Sequence, residues 1–331
     1  MPKRKRILTG DRPTGRLHIG HYVGSLISRV AMQDEYEQYI LIADIQALTD
    51  NADNPDKVSS NVLEVAMDNL AAGIDSTKST FVVQSMVSEI AELTVLFLNL
   101  VTVARLERNP TVKDEMRQKG YGSNVPAGFL TYPVSQAADI LVFRADTVPA
   151  GDDQKPMVEQ TNEIGTKFNN TYGDVFSYVT HVASITPRLP GIDGNTKMSK
   201  SLNNGIYLAD TSETIRDKVM RMYTDPAHIH VDGPGNVEGN TVFAYLDVFD
   251  TNKEEVEELK TLYRRGGLGD VEIKIRLIHV LEKVLAPIRE RREALNKNDV
   301  REIVHEGTLK AQKEATATMT AVREAMGINY F

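Results

Sequence analysis

Residues 7–21 read ILTGDRPTGRLHIGH, and this stretch does most to decide the fold. It begins with a short apolar run, passes through a loop that contains Pro13 and Gly15, and ends in His18-Ile19-Gly20-His21. Apolar residues then recur at helical spacing between Tyr22 and Val30. This order predicts a strand, a tight loop and a helix whose first residues follow the carboxyl end of the strand.

The same alternation continues outward along the chain. Residues 39–43 and 80–83 are apolar runs typical of buried strands, and residues 56–72 and 89–103 carry apolar side chains at helical spacing. Continuous apolar strands that alternate with helices favour a parallel sheet covered on both faces. We therefore predict the α/β class, with a Rossmann-type doubly wound parallel sheet that binds ligands at the carboxyl ends of its strands.

The last third of the chain has a different pattern. From about residue 211 it is mostly helical, with long helices predicted over 271–285 and 300–326. The glycines at 266, 267 and 269 form a loop that lacks the Lys-Ser/Thr of a phosphate loop. We predict a catalytic domain over residues 1–205 and a C-terminal α-helical domain over residues 206–331.

Composition excludes several classes of protein. The 331 residues include no cysteine, which excludes disulfides, cysteine-ligated metals and cysteine nucleophiles. No apolar run is long enough for a membrane span, and the basic start is not followed by the apolar segment of a signal peptide. A net charge of −8 argues against a general DNA or RNA coat, although residues 260–331, with 14 basic and 10 acidic side chains, permit a local contact with a polyanion.

The His18-Ile19-Gly20-His21 stretch, hereafter the first signature, has the residue types that a nucleotide site needs. A helix N-terminus offers free N–H groups to phosphate, and two imidazoles can donate hydrogen bonds to triphosphate oxygens. Gly20 allows a flat adenine ring to approach the backbone. Taken alone, the stretch is also compatible with a pair of surface or metal-binding histidines.

The second signature is Lys197-Met198-Ser199-Lys200-Ser201, which follows a turn-rich segment that begins at Leu189. Two lysines near a central serine can reach a pyrophosphate as charge builds up on it. A solvated basic loop is the alternative for this motif in isolation. Finding both signatures in one chain, in this order, favours the functional interpretation.

Together the two motifs resemble the paired signatures of class I aminoacyl-tRNA synthetases, and both are complete. Residues 10–15, 106–108, 132–140 and 148–155 narrow the resemblance to the bacterial tryptophanyl-tRNA synthetase family. The resemblance runs from Ile7 to about Met326. It implies a two-step reaction, in which ATP activates tryptophan as an adenylate and the aminoacyl group then passes to tRNA(Trp).

The resemblance also implies which residues form the site. Catalytic roles fall to His18, His21, Lys113, Lys197 and Lys200, which would orient and neutralise the phosphates with the Mg²⁺ that enters with ATP. The implied ATP site comprises Arg12, Pro13, Thr14, Gly20, His21, Gly151, Asp152, Asp153, Leu189, Lys197, Met198, Ser199, Lys200 and Ser201. The implied tryptophan site comprises Leu8, Gly10, Gln46, Tyr132, Gln136, Asp139, Val148, Ala150 and Gln154.

Within that site, Asp139 is implied to accept a hydrogen bond from the indole N–H. The chemistry is suitable, because indole has one donor and no acceptor whereas an ionised carboxylate only accepts. Gln136 and Asp139 are three residues apart and share a face of a predicted helix near its start. Considered without the two signatures, Asp139 could be a helix N-cap and Lys113 could be an ordinary surface lysine.

The resemblance further implies a cytoplasmic homodimer without a metal site of its own, without membrane association and without DNA binding. The helical C-terminal part would contact the tRNA anticodon, and Arg289, Arg291 and Arg292 are candidates for phosphate contact. The alternative to that role is a solvated helix end.

The nearest alternative is tyrosine specificity. Archaeal-type tyrosine enzymes share the Gln-x-x-Asp spacing of Gln136 and Asp139, but they usually carry tyrosine where this chain has Leu8. Tryptophan enzymes, for their part, often have phenylalanine at that position, and histidine where this chain has Gln46. The run from Ala137 to Ile140 is of the tryptophan type, so we predict tryptophan.

Two hypotheses about function, each from another class of protein, remain. A nucleotidyltransferase of the same superfamily would keep the first signature but would usually lack the helical C-terminal part. A synthetase-like paralogue that binds RNA or a protein without catalysis would have little need for an intact second signature.

Overall fold

The computed structural model contains one five-stranded, fully parallel sheet with the strand order β3-β2-β1-β4-β5. It describes residues 4–183, 189–194, 198 and 202–330, with Asp152 described by its backbone only. The strands are β1 (Arg6–Asp11), β2 (Glu37–Ile42), β3 (Ser79–Val83), β4 (Thr147–Ala150) and β5 (Thr180–Ala183). The predicted Rossmann-type sheet is confirmed.

Helices cover both faces of the sheet and form most of the C-terminal third. The first helical stretch is α1 (Ile19–His21), a π-helical turn (Tyr22–Leu26) and α2 (Ile27–Met32). The others are α3 (Asp44–Leu48), α4 (Pro55–Ala72), α5 (Ser88–Leu98), α6 (Val103–Glu107), α7 (Pro110–Lys119), α8 (Ala127–Val142), α9 (Lys155–Tyr172), α10 (Ser212–Met220), α11 (Thr241–Phe249), α12 (Lys253–Arg265), α13 (Asp270–Ala294) and α14 (Lys297–Ala325).

The helix predicted over residues 89–103 is interrupted in the structure. It ends at Leu98, and a separate helix begins at Val103. Thr102 explains the break, because its side-chain oxygen accepts the backbone N–H of Arg105 and so caps a new helix. Hydrophobic periodicity runs across such a break without showing it.

The strand order creates a crevice at the carboxyl edge of the sheet. From β1 the chain first adds β2 and β3 on one side of the sheet, and later adds β4 and β5 on the other. Connections that leave β1 and β4 therefore diverge at the carboxyl edge, where a doubly wound sheet opens to ligands. Both the first signature, after β1, and residues 151–154, after β4, lie at this edge.

Helix α14 covers the β3 edge of the sheet. A Cβ on Gly307 would lie 2.3 Å from the Phe81 carbonyl oxygen, so only glycine permits this close crossing. Thr308 accepts the backbone N–H of Val83 at 3.1 Å, and Glu314 accepts an Arg6 N–H at 2.9 Å. This last helix thus shares a core with the sheet, and the boundary between residues 205 and 206 stays a prediction.

Within the described part of the chain, no helix is both long and apolar enough to cross a bilayer.

Candidate active site

The first signature follows the loop that joins β1 to α1. His18 is the N-cap of α1, and its backbone N–H donates to Nδ1 of His21 at 3.2 Å. The two imidazole centroids are 3.8 Å apart. Both rings therefore stand at the beginning of the helical stretch, where peptide N–H groups and the helix dipole favour an anion.

Three backbone hydrogen bonds fix the position of this loop. Leu17 donates to a carboxylate oxygen of Asp68 at 2.7 Å and accepts from the N–H of Leu208 at 3.0 Å. Ile19 donates to the carbonyl of Ile206 at 2.8 Å. The segment that follows the second signature is thereby paired with the segment that contains the first.

The two signatures meet at Gly20. Met198 is 3% exposed, and a Cβ on Gly20 would lie 3.5 Å from its sulfur and 2.9 Å from Nδ1 of His18. Gly205 also contacts Met198, since a Cβ there would lie 3.2 Å from the same sulfur. Lys197, Ser199, Lys200 and Ser201 lie outside the described residues, but the methionine between them lies directly against the first signature.

The segment before the second signature is anchored on the helical part. Leu189 is 4% exposed and shares a hydrophobic cluster with Ile19 and Met198. Pro190 accepts the hydroxyl of Tyr245 at 2.8 Å, and Ile192 accepts the N–H of Tyr223 at 2.9 Å. These contacts hold the start of the loop beside the carboxyl edge of the sheet.

Arg12 and helix α7 meet at one carboxylate. The half-exposed Arg12 guanidinium donates to Asp50 at 2.8 Å, and Lys119 contacts the other oxygen of Asp50 at 2.9 Å. Thr14 folds back to donate to the Arg12 carbonyl at 2.8 Å. Lys113 is exposed on the same helix, where a long cationic side chain can extend toward phosphate. Pro13, in the same loop, is buried.

Asp139 is 2% exposed and lies in the last third of α8, not near its start, so the N-cap alternative is wrong. Gln84 Nε2 donates to both of its carboxylate oxygens, at 2.8 and 3.0 Å. Burial, opposed by the Gln84 hydrogen bond and aided by the charge of Asp44, raises the pKa of Asp139 from an ordinary 3.8 to about 7. Gln84 escaped the sequence analysis, although its position directly after β3 places it at the ligand edge.

Three predicted residues lie on one face of α8. Tyr132, Gln136 and Asp139 are separated by four and three positions, which aligns them along the helix. Gln136 Nε2 contacts Oε1 of Gln154 at 3.5 Å. Gln154, which follows β4, therefore lies against the same face of α8. Tyr132 donates its hydroxyl to Glu115 at 2.9 Å, and burial raises its pKa. Glu115, on α7, is the second residue that sequence reasoning missed.

The remaining predicted residues lie along the same edge. Leu8 and Val148 are buried in neighbouring strands, where Gly10 is the penultimate residue of β1 and Ala150 the last residue of β4. The backbone N–H of Gln46 donates to Oε1 of Gln84 at 3.0 Å, which brings the α3 segment to Asp139. Gly151 and Asp153 follow β4, and the Asp153 carbonyl accepts the Thr111 hydroxyl at 2.9 Å.

The three arginines proposed for phosphate contact have partners within the chain. Arg292 donates to Asp68 at 2.7 Å and also pairs with Glu64. Arg291 donates to the Ala71 carbonyl at 2.7 Å, and Arg289 to the Asp210 carbonyl at 2.9 Å. The solvated-helix-end alternative is wrong for Arg292, whose side chain is 13% exposed. The three contacts give each arginine a structural role, and phosphate contact stays a prediction.

No three or more His, Asp or Glu side chains of the described segments are grouped to hold a metal ion. The described arrangement consists of the start of a helical stretch, Met198 packed against it, and a buried carboxylate at one sheet edge.

Comparisons with known proteins agree with this geometry. A model of the family of tRNA synthetases class I (W and Y) matches residues 2–286. The Tryptophan--tRNA ligase of Clostridium longisporum is 55% identical, over 98% of this chain and 97% of that protein. The Tryptophan--tRNA ligase of Lactococcus lactis subsp. lactis is also 55% identical, over 98% of both chains.

Solved structures extend the likeness. A tryptophanyl-tRNA synthetase from Campylobacter jejuni, complexed with ADP and tryptophan, has a TM-score of 0.83 and 31% identity, covering 97% of this chain and 99% of that one. The Mycoplasma pneumoniae tryptophanyl-tRNA synthetase, at 23% identity and a TM-score of 0.80, shares the fold over 98% of both chains. This chain belongs to the class I tRNA synthetase family for tryptophan and tyrosine.

Proposed function

We propose that the protein activates L-tryptophan with ATP and transfers it to the terminal ribose of tRNA(Trp). Relatives at 52–55% identity over 98% of the chain are tryptophan--tRNA ligases, which confirms the interpretation made from the sequence. The observation that carries the proposal is the contact of Met198 with Gly20, because it brings a residue of the second signature against the first, at the sheet edge where Gln84 holds Asp139.

In the first step, a carboxylate oxygen of tryptophan attacks the α-phosphorus of ATP, and the bond to pyrophosphate breaks. In the second, a ribose hydroxyl of the tRNA, the 2′-hydroxyl by family resemblance, attacks the carbonyl carbon and AMP leaves. No protein nucleophile is required, so the chain acts by positioning and by stabilising charge.

Roles for the individual residues follow from the family resemblance. His18 and His21 orient the triphosphate, and Lys113, Lys197 and Lys200 neutralise the pyrophosphate as it departs. Mg²⁺ bound to ATP supplies further positive charge, and this fits a site whose described residues offer no carboxylate cluster of their own.

Asp139 reads the indole N–H, while Tyr132 and Gln154 hold the α-amino group. The carboxylate of Glu115, which accepts the Tyr132 hydroxyl, adds negative charge beside that ammonium. Asp139 lies too deep for solvent to replace the indole contact. A site with a buried hydrogen bond of this kind rejects analogues that lack the group, by roughly 10⁴–10⁵ in synthetases.

We further propose a cytoplasmic homodimer whose helical C-terminal part contacts the anticodon. Val95, Leu98 and Val103 of α5 and α6 are 61%, 37% and 59% exposed and offer an apolar surface for the second copy.

The direct test is amino-acid-dependent exchange of pyrophosphate into ATP, run separately with each amino acid, followed by transfer of labelled tryptophan to tRNA. We expect exchange with tryptophan, and its loss in Asp139→Ala while ATP binding persists. Exchange with tyrosine instead would favour the alternative specificity. Exchange that survives Asp139→Ala would move the indole contact elsewhere.

A further inference from the structure

Gln84 follows β3 and, among the described residues, is the only one there that hydrogen-bonds to Asp139, the carboxylate proposed to contact the indole. Its side chain is fully buried. Nε2 donates to Oδ1 and Oδ2 of Asp139 at 2.8 and 3.0 Å, and Oε1 accepts the Gln46 backbone N–H at 3.0 Å. Both ends of the amide are therefore in use.

These two contacts fix which way the amide faces. If the amide were flipped, its oxygen would face the Asp139 carboxylate and its NH₂ group would face the N–H of Gln46. Both contacts would be repulsive in a buried site where water cannot relieve them. The backbone of α3, which follows β2, thus determines that a donor, rather than an acceptor, faces Asp139.

A single donor shared by both oxygens also fixes the plane of the carboxylate. Each oxygen has a second lone pair, so Asp139 can still accept from a donor that enters from the ligand edge. Asp44, which begins α3, is the charged group whose field acts on Asp139, and its negative charge disfavours a second carboxylate. The Gln84 donor is the contact that counters this repulsion.

We propose that Gln84 is a positioning residue for amino-acid specificity, whose amide orients the Asp139 carboxylate toward the indole N–H. The inference rests on the proposed function, because it assumes that Asp139 contacts tryptophan. It extends the recognition of the amino acid to the end of β3 and, through Gln46, to α3.

The test compares two substrates in the pyrophosphate exchange assay: tryptophan and β-(benzothiophen-3-yl)alanine, which has a similar shape but no N–H. Gln84→Met keeps the length of the side chain and removes the donor. We expect kcat/KM for tryptophan to fall about 10- to 100-fold, as for loss of a hydrogen bond to a charged group, and the analogue to change less than about threefold.

Gln38→Met is the matched control. Gln38 is fully buried in β2, and its amide makes no side-chain hydrogen bond within the described part of the chain. It should leave the ratio of the two substrates unchanged. This comparison separates the loss of a particular donor from the general effect of replacing a buried glutamine.

The pH profile gives a second readout that a purely structural role would not move. In the unmodified protein, kcat/KM for tryptophan should rise as Asp139 ionises near pH 7. Gln84→Met should shift that rise to higher pH, because the carboxylate loses a donor. In Gln84→Glu, the glutamic acid can donate to Asp139 while the pair holds one proton. Tryptophan use should therefore persist over that range and fall at higher pH, as the pair loses its shared proton.

The outcomes are distinct. Preferential loss of tryptophan use with a shifted pH profile supports the proposal. An equal loss for both substrates with an unmoved profile, or no loss for either, overturns it. If Gln84→Met does not fold, the profile of Gln84→Glu decides. Absence of tryptophan-dependent exchange in the unmodified protein would instead refute the proposed function.

Discussion

Replacing Asp139 by asparagine is expected to stabilise the protein at neutral and alkaline pH while abolishing its use of tryptophan. Asparagine has nearly the same shape and can still accept a hydrogen bond from Gln84, but it carries no charge. Asp139 is 2% exposed, so its ionised form is poorly solvated in the folded state and well solvated in the unfolded chain.

The magnitude follows from the pKa of Asp139, which burial raises from 3.8 to about 7. The difference is about three pH units, which corresponds to about 4 kcal/mol of unfolding free energy. Because the folded-state pKa is the higher one, the folded protein holds this proton more tightly. The stabilisation that this proton gives the folded state is fully present below pH 3.8, is lost as the pH rises to 7, and is absent above pH 7.

The assay is urea unfolding followed by circular dichroism at pH 4.5, 6, 7 and 8.5. The free energy of unfolding of Asp139→Asn should exceed that of the unmodified protein by about 1 kcal/mol at pH 4.5 and by about 4 kcal/mol at pH 8.5. Asp225→Asn is the control: two backbone N–H groups lower the pKa of this exposed carboxyl, so its titration ends below the range. A difference for Asp139→Asn that does not change with pH would refute the reasoning.

Three further predictions test other parts of the site. Lys200→Ala should slow adenylate formation by about 100-fold or more with tryptophan affinity nearly unchanged, and an equal loss of tryptophan binding in equilibrium titration would count against its phosphate role. Arg292→Met should cost about 3–5 kcal/mol in urea unfolding, because it leaves the fully buried Asp68 carboxylate without its ion pair; a cost below 1 kcal/mol would contradict this. Val95→Asp should shift the protein toward monomer in sedimentation velocity, whereas an unchanged dimer would place the interface elsewhere.

The parts of the fold that sequence could predict are those set by local pattern. The apolar runs of β2 and β3 gave the strands to within two residues, and the strand–loop–helix order placed His18 at the carboxyl edge. The family and the fold class are confirmed, and the relatives at 55% identity are tryptophan--tRNA ligases, in agreement with the predicted specificity. Individual roles for the site residues stay predictions.

The parts that sequence could not predict depend on contacts between distant positions. Gln84 meets Asp139 55 positions away, and Arg292 meets Asp68 224 positions away. Nothing near these residues distinguishes them from ordinary polar side chains, since their partners are chosen only when the sheet and helices assemble. The crossing of α14 over β3 depends similarly on Gly307. From the sequence, this glycine is only a tolerated small residue inside a long predicted helix, and nothing in the pattern indicates its contact with β3.

The central claim is that one crevice holds both ends of a tryptophanyl-adenylate. A crystal structure with a non-hydrolysable analogue of that intermediate tests it most directly. We predict that the indole nitrogen lies within about 3.2 Å of an Asp139 oxygen, with the adenine against Gly20 and Met198. An analogue bound with its indole away from Asp139, or with its adenine away from the contact between Gly20 and Met198, would contradict the account.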